Sequence, residues 1–226
     1  MQQYSQLPLI EQAILTLAAM ILASSLALLA QSRVVATIRL FAWQGVLLAV
    51  ITALVALDIG DAQLLISALL TLSLKALFIP WLLVRQARSL NILKDSDASI
   101  RPGLILLMGG ALVVFCYSVV QPIEVFAASV TRNAVALSLA VVMLSMLMLI
   151  TRRKAVTQVV AFMALENGLF FAAVTTTQGM PLVVELGVAF DVMVAAVIFG
   201  VFFFQIRDSI GSLDIDELVR LSESGE

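Results

Sequence analysis

The sequence predicts an all-α, polytopic membrane protein with about seven transmembrane helices. Hydrophobic residues make up 62% of its 226 residues, and charged residues only 12%. A water-soluble domain of this size cannot cover so much apolar surface, whereas the acyl chains of a bilayer solvate it. The apolar residues also form runs long enough to cross a bilayer, which takes about 20 residues of helix. One transmembrane domain is therefore expected over residues 1–207, with a short acidic cytoplasmic tail over residues 208–226.

Each predicted span ends at a polar or turn-forming segment. Two aspartates and a glycine follow the second span, the longest polar connection precedes the fourth, and a Gln-Gly-Met-Pro turn precedes the last. The first span carries Glu11 and has no basic residue before it, so we expect a retained helix rather than a cleavable signal peptide. The predicted spans cover residues 9–30, 35–57, 63–83, 104–120, 133–150, 156–176 and 182–204.

The basic residues occupy alternate connections between the spans. They follow spans one, three, five and seven, while the opposite connections carry Asp58, Asp61 and Glu124, with Arg132 as the one basic exception. Short loops rich in lysine and arginine remain in the cytoplasm. The pattern predicts an odd number of spans, an N-terminus outside and a C-terminus in the cytoplasm. The basic residues on the predicted cytoplasmic side are Arg33, Arg85, Arg88, Lys94, Arg101, Arg152, Arg153, Lys154, Arg207 and Arg220.

The composition excludes several classes of site. The chain has one cysteine, Cys116, and no histidine, whereas haem, iron–sulfur and most zinc sites need several such ligands. We therefore expect no metal centre or other cofactor in this chain alone. Cys116 lies in an apolar run and is interpreted as a small buried hydrophobic residue. The net charge of −2 offers no basic face for nucleic acid.

A lysine inside the third predicted span is the first candidate functional residue, because a charge at the bilayer centre costs at least about 2.5–3.5 kcal/mol. Lys75 lies past the middle of that span, in the segment SLKALFIPW. Pro80 follows it and is expected to loosen the helix, since it frees a backbone carbonyl. We interpret Lys75 as a protonatable amine; the alternative is a lysine whose stem reaches the cytoplasmic interface.

Three carboxylates lie in the last two predicted spans. Glu166 is at the centre of span six, in ALENGLFFAAV, where Asn167 adds a hydrogen-bonding neighbour and Gly168 permits close helix approach. Asp191 lies near the middle of span seven, and Glu185 lies nearer its outer end. The spacing between Glu185 and Asp191 separates these two side chains by about 120° around a helix, so one narrow groove cannot hold both. We interpret these groups as proton carriers; the alternatives are a structural ion pair for Glu166 and interfacial solvation for Glu185.

The last helices and the tail resemble the K-type small membrane subunit of respiratory complex I. The resemblance rests on ALENGLFF around Glu166, PLVVELGVAFDV at residues 181–192 and LDIDEL at residues 213–218, and its helical part covers about residues 155–207. Together with the SLKALFIP segment and the total length, these motifs make the chain look like the hydrogenase-4 component E family. Members of that family are elongated K-like subunits of membrane-bound nickel–iron (NiFe) hydrogenases and formate hydrogenlyases.

The resemblance implies a non-catalytic, proton-translocating subunit in a bacterial inner membrane. Its expected partners are antiporter-like membrane subunits, a membrane anchor subunit and soluble subunits that hold the NiFe centre and iron–sulfur clusters. The functional glutamate in the second helix of the K-type subunit maps onto Glu166. The glutamate of its third helix has no identical match, and Asp191 is the nearest carboxylate. Spans one to five have no counterpart in the short subunit, so Lys75 is carried over only from the longer family.

Two other functions remain open at this point. Multisubunit cation/proton antiporters also contain K-like chains, but those chains are short and the five additional spans argue against this class. A stand-alone carrier or receptor is the second alternative. Stand-alone transporters often contain inverted repeats, and no repeat relates the two halves of this sequence. A retinal-binding protein would need a lysine in its last span, and span seven has none.

Overall fold

A computed structural model describes residues 8–89, 102–121 and 129–176, together with the single positions 187, 191, 193, 194 and 197. The chain in these ranges is almost entirely helical, which confirms the predicted all-α class. The elements are α1 (Leu9–Ala30), α2 (Val34–Ile59), α3 (Ala62–Thr71), a π-helical segment (Leu72–Phe78), α4 (Ile79–Ser89), α5 (Pro102–Val120), α6 (Ser129–Thr151) and α7 (Ala155–Thr176).

Six spans in the described ranges are long and apolar enough to cross a bilayer. The 22 residues of α1 extend about 33 Å at the α-helical rise, which matches a hydrocarbon core of about 30 Å. The predicted polytopic membrane class is confirmed, and each of the first six predicted spans overlaps an observed helix. The seventh predicted span lies largely outside the described residues, as does the tail. The orientation of the chain stays a prediction.

The third span differs from its prediction in length and in form. It joins α3, the π-helical segment and α4 without a break, whereas the sequence predicted one span over residues 63–83. At the end of the segment the N–H of Ile79 donates to the carbonyl of Leu74, the i to i−5 bond of a π-helix. Pro80 follows directly and has no N–H to donate. The loosening predicted near Lys75 therefore takes the form of a π-helical segment.

A tight connection makes α2 and the third span antiparallel neighbours. Gly60 ends α2 with a φ of 77°, a left-handed conformation that glycine adopts without a steric penalty. The carboxylate of Asp61 then accepts a hydrogen bond from the N–H of Gln63 at 2.8 Å, which caps the first turn of α3. Because the connection is so short, the middle of α2 lies beside the middle of the third span.

The bundle core consists of two apolar layers with a polar layer between them. α2 is central, since it contacts α1, α3, the π-helical segment, α4 and α7. One apolar cluster combines the first halves of α2 and α7 with α4, and the other combines their second halves with the first halves of α1 and α6. Between the clusters the same helices bury polar side chains. These are Ser25, Gln44, Lys75 and Asn167.

The outer surface of the bundle is apolar. Leu57, Leu69, Val114 and Ile150 are each more than half exposed. A water-soluble monomer rarely exposes so many large apolar side chains together, whereas acyl chains solvate them. The surface and the six apolar spans therefore lead to the same conclusion, that this is a multi-pass membrane protein.

Candidate functional site

Lys75 lies inside the bundle, at the middle of the third span. Its side chain is 1% exposed, and α4 continues to Ser89, about 20 Å further along the helix. The four-carbon stem of a lysine cannot reach the end of that helix. Nζ instead donates to Glu166 on α7 at 2.8 Å, so the alternative of a snorkelling lysine does not fit the structure.

The ammonium group of Lys75 meets two carboxylates. Nζ donates a hydrogen bond to Oε1 of Glu166 at 2.8 Å and lies 3.5 Å from Oδ1 of Asp191. We call Lys75, Glu166 and Asp191 the charged cluster. It joins the π-helical segment, α7 and position 191, so the structure brings together three of the four residues that the sequence singled out. The fourth, Glu185, lies outside the described residues.

The charged cluster contains one more acidic group than basic groups. Its net charge is negative when all three groups are ionised, and it is neutral when the cluster holds one further proton. Oε2 of Glu166 and Oδ1 of Asp191 are buried and accept no hydrogen bond from the described part of the chain. An uncompensated charge is costly in an apolar interior, so these oxygens are suitable positions for a proton or for a proton-donating group. The arrangement can hold and release a proton.

Apolar groups shield the charged cluster from one side. The ring of Phe170, one turn after Glu166 on α7, has its centroid 5.3 Å from Nζ of Lys75, within the range of a cation–π contact. A Cβ placed on Gly187 would lie 3.1 Å from that ring and 3.8 Å from Oε1 of Glu166. Gly187 and Asp191 are four residues apart and both described positions are helical. Because Gly187 has no side chain, it leaves room for the Glu166 carboxylate and the Phe170 ring of α7.

Two glycines let the helices around the cluster approach closely. A Cβ on Gly45 of α2 would lie 3.1 Å from the carbonyl carbon of Lys75, so only glycine brings α2 against the backbone of the π-helical segment without displacement. A Cβ on Gly168 would lie 2.9 Å from a methyl group of Val142 on α6. The predicted role of Gly168 in close helix approach is confirmed, and Gly45 is a second such position that the sequence reading missed.

A chain of buried polar side chains runs beside the charged cluster. Nδ2 of Asn167 donates to Oε1 of Gln44 at 3.2 Å, and Nε2 of Gln44 donates to Oγ of Ser25 at 2.8 Å. Oγ of Ser25 in turn donates to the carbonyl of Ile21 at 3.0 Å. We call Asn167, Gln44 and Ser25 the polar chain. Asn167 was predicted as a hydrogen-bonding neighbour of Glu166. Gln44 was not predicted, because it is a lone uncharged glutamine in the apolar run FAWQGVLL.

Arg152 is buried rather than solvated. The sequence placed it with Arg153 and Lys154 in a cytoplasmic loop, but its side chain is 4% exposed. Its guanidinium donates to the carbonyl of Leu29 at 2.9 Å and to that of Gln31. These carbonyls lie at the C-terminal end of α1, where backbone acceptors have no partner within the helix and a positive charge is favourable.

Other residues singled out from the sequence lie away from the charged cluster. Glu11 is in the first turn of α1, and Cys116 is buried as predicted. Glu124 and the side chain of Arg132 lie outside the described residues. Within the described ranges, no group of three or more cysteine, aspartate or glutamate side chains is arranged to hold a metal ion.

The chain is similar to proteins of three bacteria over most of its length. It is 34% identical over 189 residues to uncharacterized protein Rv0085 of Mycobacterium tuberculosis, which covers 83% of this chain and 86% of that protein. It is 26% identical over 181 residues to hydrogenase-4 component E of Escherichia coli (strain K12) and of Shigella flexneri, which covers 80% of this chain and 84% of those proteins. No family model matches the chain, and no solved structure matches it.

Proposed function

This chain belongs to the family of Mycobacterium tuberculosis protein Rv0085, and from that premise we propose that it is a non-catalytic membrane subunit of a hydrogenase or formate hydrogenlyase complex. The distant relatives named hydrogenase-4 component E support a hydrogenase complex, and the resemblance of the last helices to the K-type subunit supports a relation to respiratory complex I. The six apolar spans support a place in the bacterial inner membrane. The observation that carries a proton-translocating role is the charged cluster of Lys75, Glu166 and Asp191 at the middle of the bundle.

In this proposal the charged cluster passes a proton between its members. Nζ of Lys75 is 2.8 Å from one carboxylate and 3.5 Å from the other, so a small movement of α7 or of the π-helical segment changes which carboxylate the ammonium neutralises. A carboxylate that loses a neighbouring positive charge binds a proton more tightly, and one that gains it binds a proton less tightly. Movement in an adjoining subunit would therefore drive proton uptake at one carboxylate and release at the other.

The partners and cofactors of the complex belong to this proposal as well. Antiporter-like membrane subunits would lie beside this chain, and an anchor subunit would connect it to soluble subunits that hold the NiFe centre and the iron–sulfur clusters. This chain would supply intramembrane carboxylates and a lysine, and no cofactor. Glu185 is a further proposed member of the proton path, nearer the outer end of its predicted span.

The decisive variant is Glu166→Gln, which keeps the shape of the side chain and removes its ionisation. We expect protons translocated per hydrogenase turnover to fall by about tenfold or more, since positioned proton-transfer groups contribute at least about 100-fold to such steps. Turnover with a soluble electron carrier should remain. The measurement uses membrane vesicles with a pH-sensitive dye. Glu11→Gln, in the first turn of α1, is the matched control, and the complex that carries it should translocate protons normally. Normal translocation in Glu166→Gln would refute the proton-carrying role.

The identity of the complex is tested separately, by mass spectrometry of the proteins that purify with a tagged chain. We expect antiporter-like membrane subunits together with a NiFe subunit. Antiporter-like subunits without hydrogenase subunits would instead assign the chain to a cation/proton antiporter. A chain that purifies alone and transports a solute in liposomes would be a stand-alone carrier, and either result would overturn the proposed complex.

A further inference from the structure

One turn of α2 lies against Lys75 and also contacts Asn167, the residue that follows Glu166. Gly45 lies against the Lys75 backbone, where an added Cβ would come within 3.1 Å of the carbonyl carbon. The preceding residue, Gln44, accepts a hydrogen bond at 3.2 Å from Asn167, which follows Glu166 on α7. Gln44 and Gly45 are adjacent on α2. They therefore set the positions of Lys75 and Glu166 relative to the same helix.

Gln44 is itself held firmly. Its Nε2 donates to Ser25 on α1 at 2.8 Å, and the hydroxyl of Ser25 is fixed by its bond to the carbonyl of Ile21. Ser25 is 3% exposed, and Gln44 and Asn167 are fully buried. Bulk water cannot replace these bonds, so a change at Gln44 leaves the Asn167 amide of α7 without its acceptor in the interior.

We propose that Gln44 is a positioning residue, which holds Glu166 at hydrogen-bonding distance from Lys75 by fixing Asn167. It touches neither the lysine amine nor the carboxylate, and it acts through α7. This inference rests on the proposed function only for its effect on proton translocation. The geometric part, that Gln44 fixes the environment of the Glu166 carboxylate, stands separately.

The polar chain also explains why α7 keeps a single rotational setting. α7 is apolar around most of its circumference, so apolar packing alone permits several settings of similar energy. The bond from Asn167 to Gln44 selects one of them. Successive residues of a helix point about 100° apart, so the setting that places Asn167 against Gln44 also directs Glu166 toward the π-helical segment.

The test compares Gln44→Met with Thr52→Val in the intact complex. Methionine keeps the length of glutamine and removes both hydrogen bonds. Thr52 is buried on the same helix, but its hydroxyl donates only to the carbonyl of Leu48 within α2. The difference between the infrared spectra of the unaltered complex and of Glu166→Gln identifies the band of the Glu166 carboxylate. We expect Gln44→Met to shift this band and Thr52→Val to leave it unchanged.

Proton translocation per turnover is measured on the same samples. We expect Gln44→Met to lower it by about tenfold, because a misplacement of about 1 Å between reacting groups costs up to about 100-fold. A merely structural role for Gln44 would reduce the amount of assembled complex but would not move the Glu166 band.

A second matched pair keeps the test open if Gln44→Met fails to assemble. Ser24 and Ser25 are both buried and both donate to the carbonyl of Ile21, but only Ser25 accepts a hydrogen bond from Gln44. Ser25→Ala should shift the Glu166 band in the same direction as Gln44→Met, by a smaller amount, and Ser24→Ala should not.

The outcomes separate this inference from the proposed function. An unmoved band in both Gln44→Met and Ser25→Ala would overturn the positioning role of Gln44, whatever happens to translocation. A shifted band with normal translocation would support the positioning role and overturn its expected effect on translocation, whereas the proton-carrying role of Glu166 is decided by Glu166→Gln. A shifted band with reduced translocation supports both.

Discussion

Two buried cations, Lys75 and Arg152, differ in the chemistry of their partners. Their side chains are almost equally hidden, at 1% and 4% exposed. Lys75 faces the carboxylates of Glu166 and Asp191, whereas Arg152 donates to backbone carbonyls at the end of α1. A carboxylate can take up a proton and a backbone carbonyl does not, and a guanidinium stays charged in proteins. Only the first arrangement can exchange protons, so the partner of a buried charge is more informative than its burial.

The positions of the two cations along the helices explain this difference. A helix end presents carbonyls without partners inside the helix, and Arg152 satisfies two of them where α1 ends. In the middle of a span most carbonyls accept bonds within the helix, and Lys75 is paired with side chains instead. Evidence for function is therefore stronger at Lys75 than at Arg152, although both are charges in an apolar protein.

The largest effect is expected for Lys75→Met, which strands two carboxylates in the interior. Removing one partner of a buried ion pair costs about 3–5 kcal/mol, so the free energy of unfolding should fall by that amount. Thermal unfolding of the purified complex measures it. Adding Glu166→Gln and Asp191→Asn to Lys75→Met should restore most of the stability, because no uncompensated charge remains.

We expect the triple variant to regain stability but not to regain proton translocation. If the triple variant both folds and translocates protons normally, the charged cluster has only a structural role, and the contrast between Lys75 and Arg152 disappears.

A smaller effect is expected for Arg152→Leu. Loss of hydrogen bonds from a charged group costs about 1.5–3 kcal/mol, so the free energy of unfolding should fall by that amount. Protons translocated per turnover by the remaining complex should be unchanged, since Arg152 exchanges no proton. Arg153→Leu, at an exposed neighbouring position, is the control and should cost less. A change in protons per turnover in Arg152→Leu would contradict its assignment as a helix-end contact.

The smallest effect on stability is expected for Gly45→Ala, which moves Lys75 without altering any charge. The added methyl group would crowd the π-helical segment, and overpacking of this kind costs about 1–3 kcal/mol. Gly110→Ala is the matched control, since a Cβ there has no neighbour within 4 Å, and it should be neutral or stabilising. We expect Gly45→Ala to reduce proton translocation and to leave the hydrogen bonds of Arg152 to the end of α1 unchanged. Equal behaviour of the two glycine variants would show that α2 does not position Lys75.

The carboxylates and the lysine of the charged cluster could be singled out from sequence because the bilayer makes charges conspicuous. Glu166, Asp191 and Lys75 are exceptions within runs of apolar residues, and a local scan finds such exceptions. Pro80 likewise located the disturbance of the third span, although its π-helical form was not predicted. Gln44 and Ser25 were missed because uncharged polar residues are less conspicuous in an apolar run. Arg152 lies in the connection between α6 and α7 as predicted, but its burial was not predicted because the carbonyls it contacts are distant in sequence.

Hydropathy along the chain was sufficient for the membrane class and for the approximate positions of the first six spans, since lipid acts on every residue through its own side chain. Hydropathy did not indicate which of the charges inside the spans pair with each other. The helices are apolar around nearly their whole circumference, so no sequence pattern marks which side of each helix faces which neighbour. Close approach at Gly45, the polar chain and the length of α4 determine those rotational settings, and each of them depends on contacts between residues far apart in sequence. The fold thus brings Lys75, Glu166 and Asp191 into one cluster, and it directs the guanidinium of Arg152 onto backbone carbonyls at the end of α1.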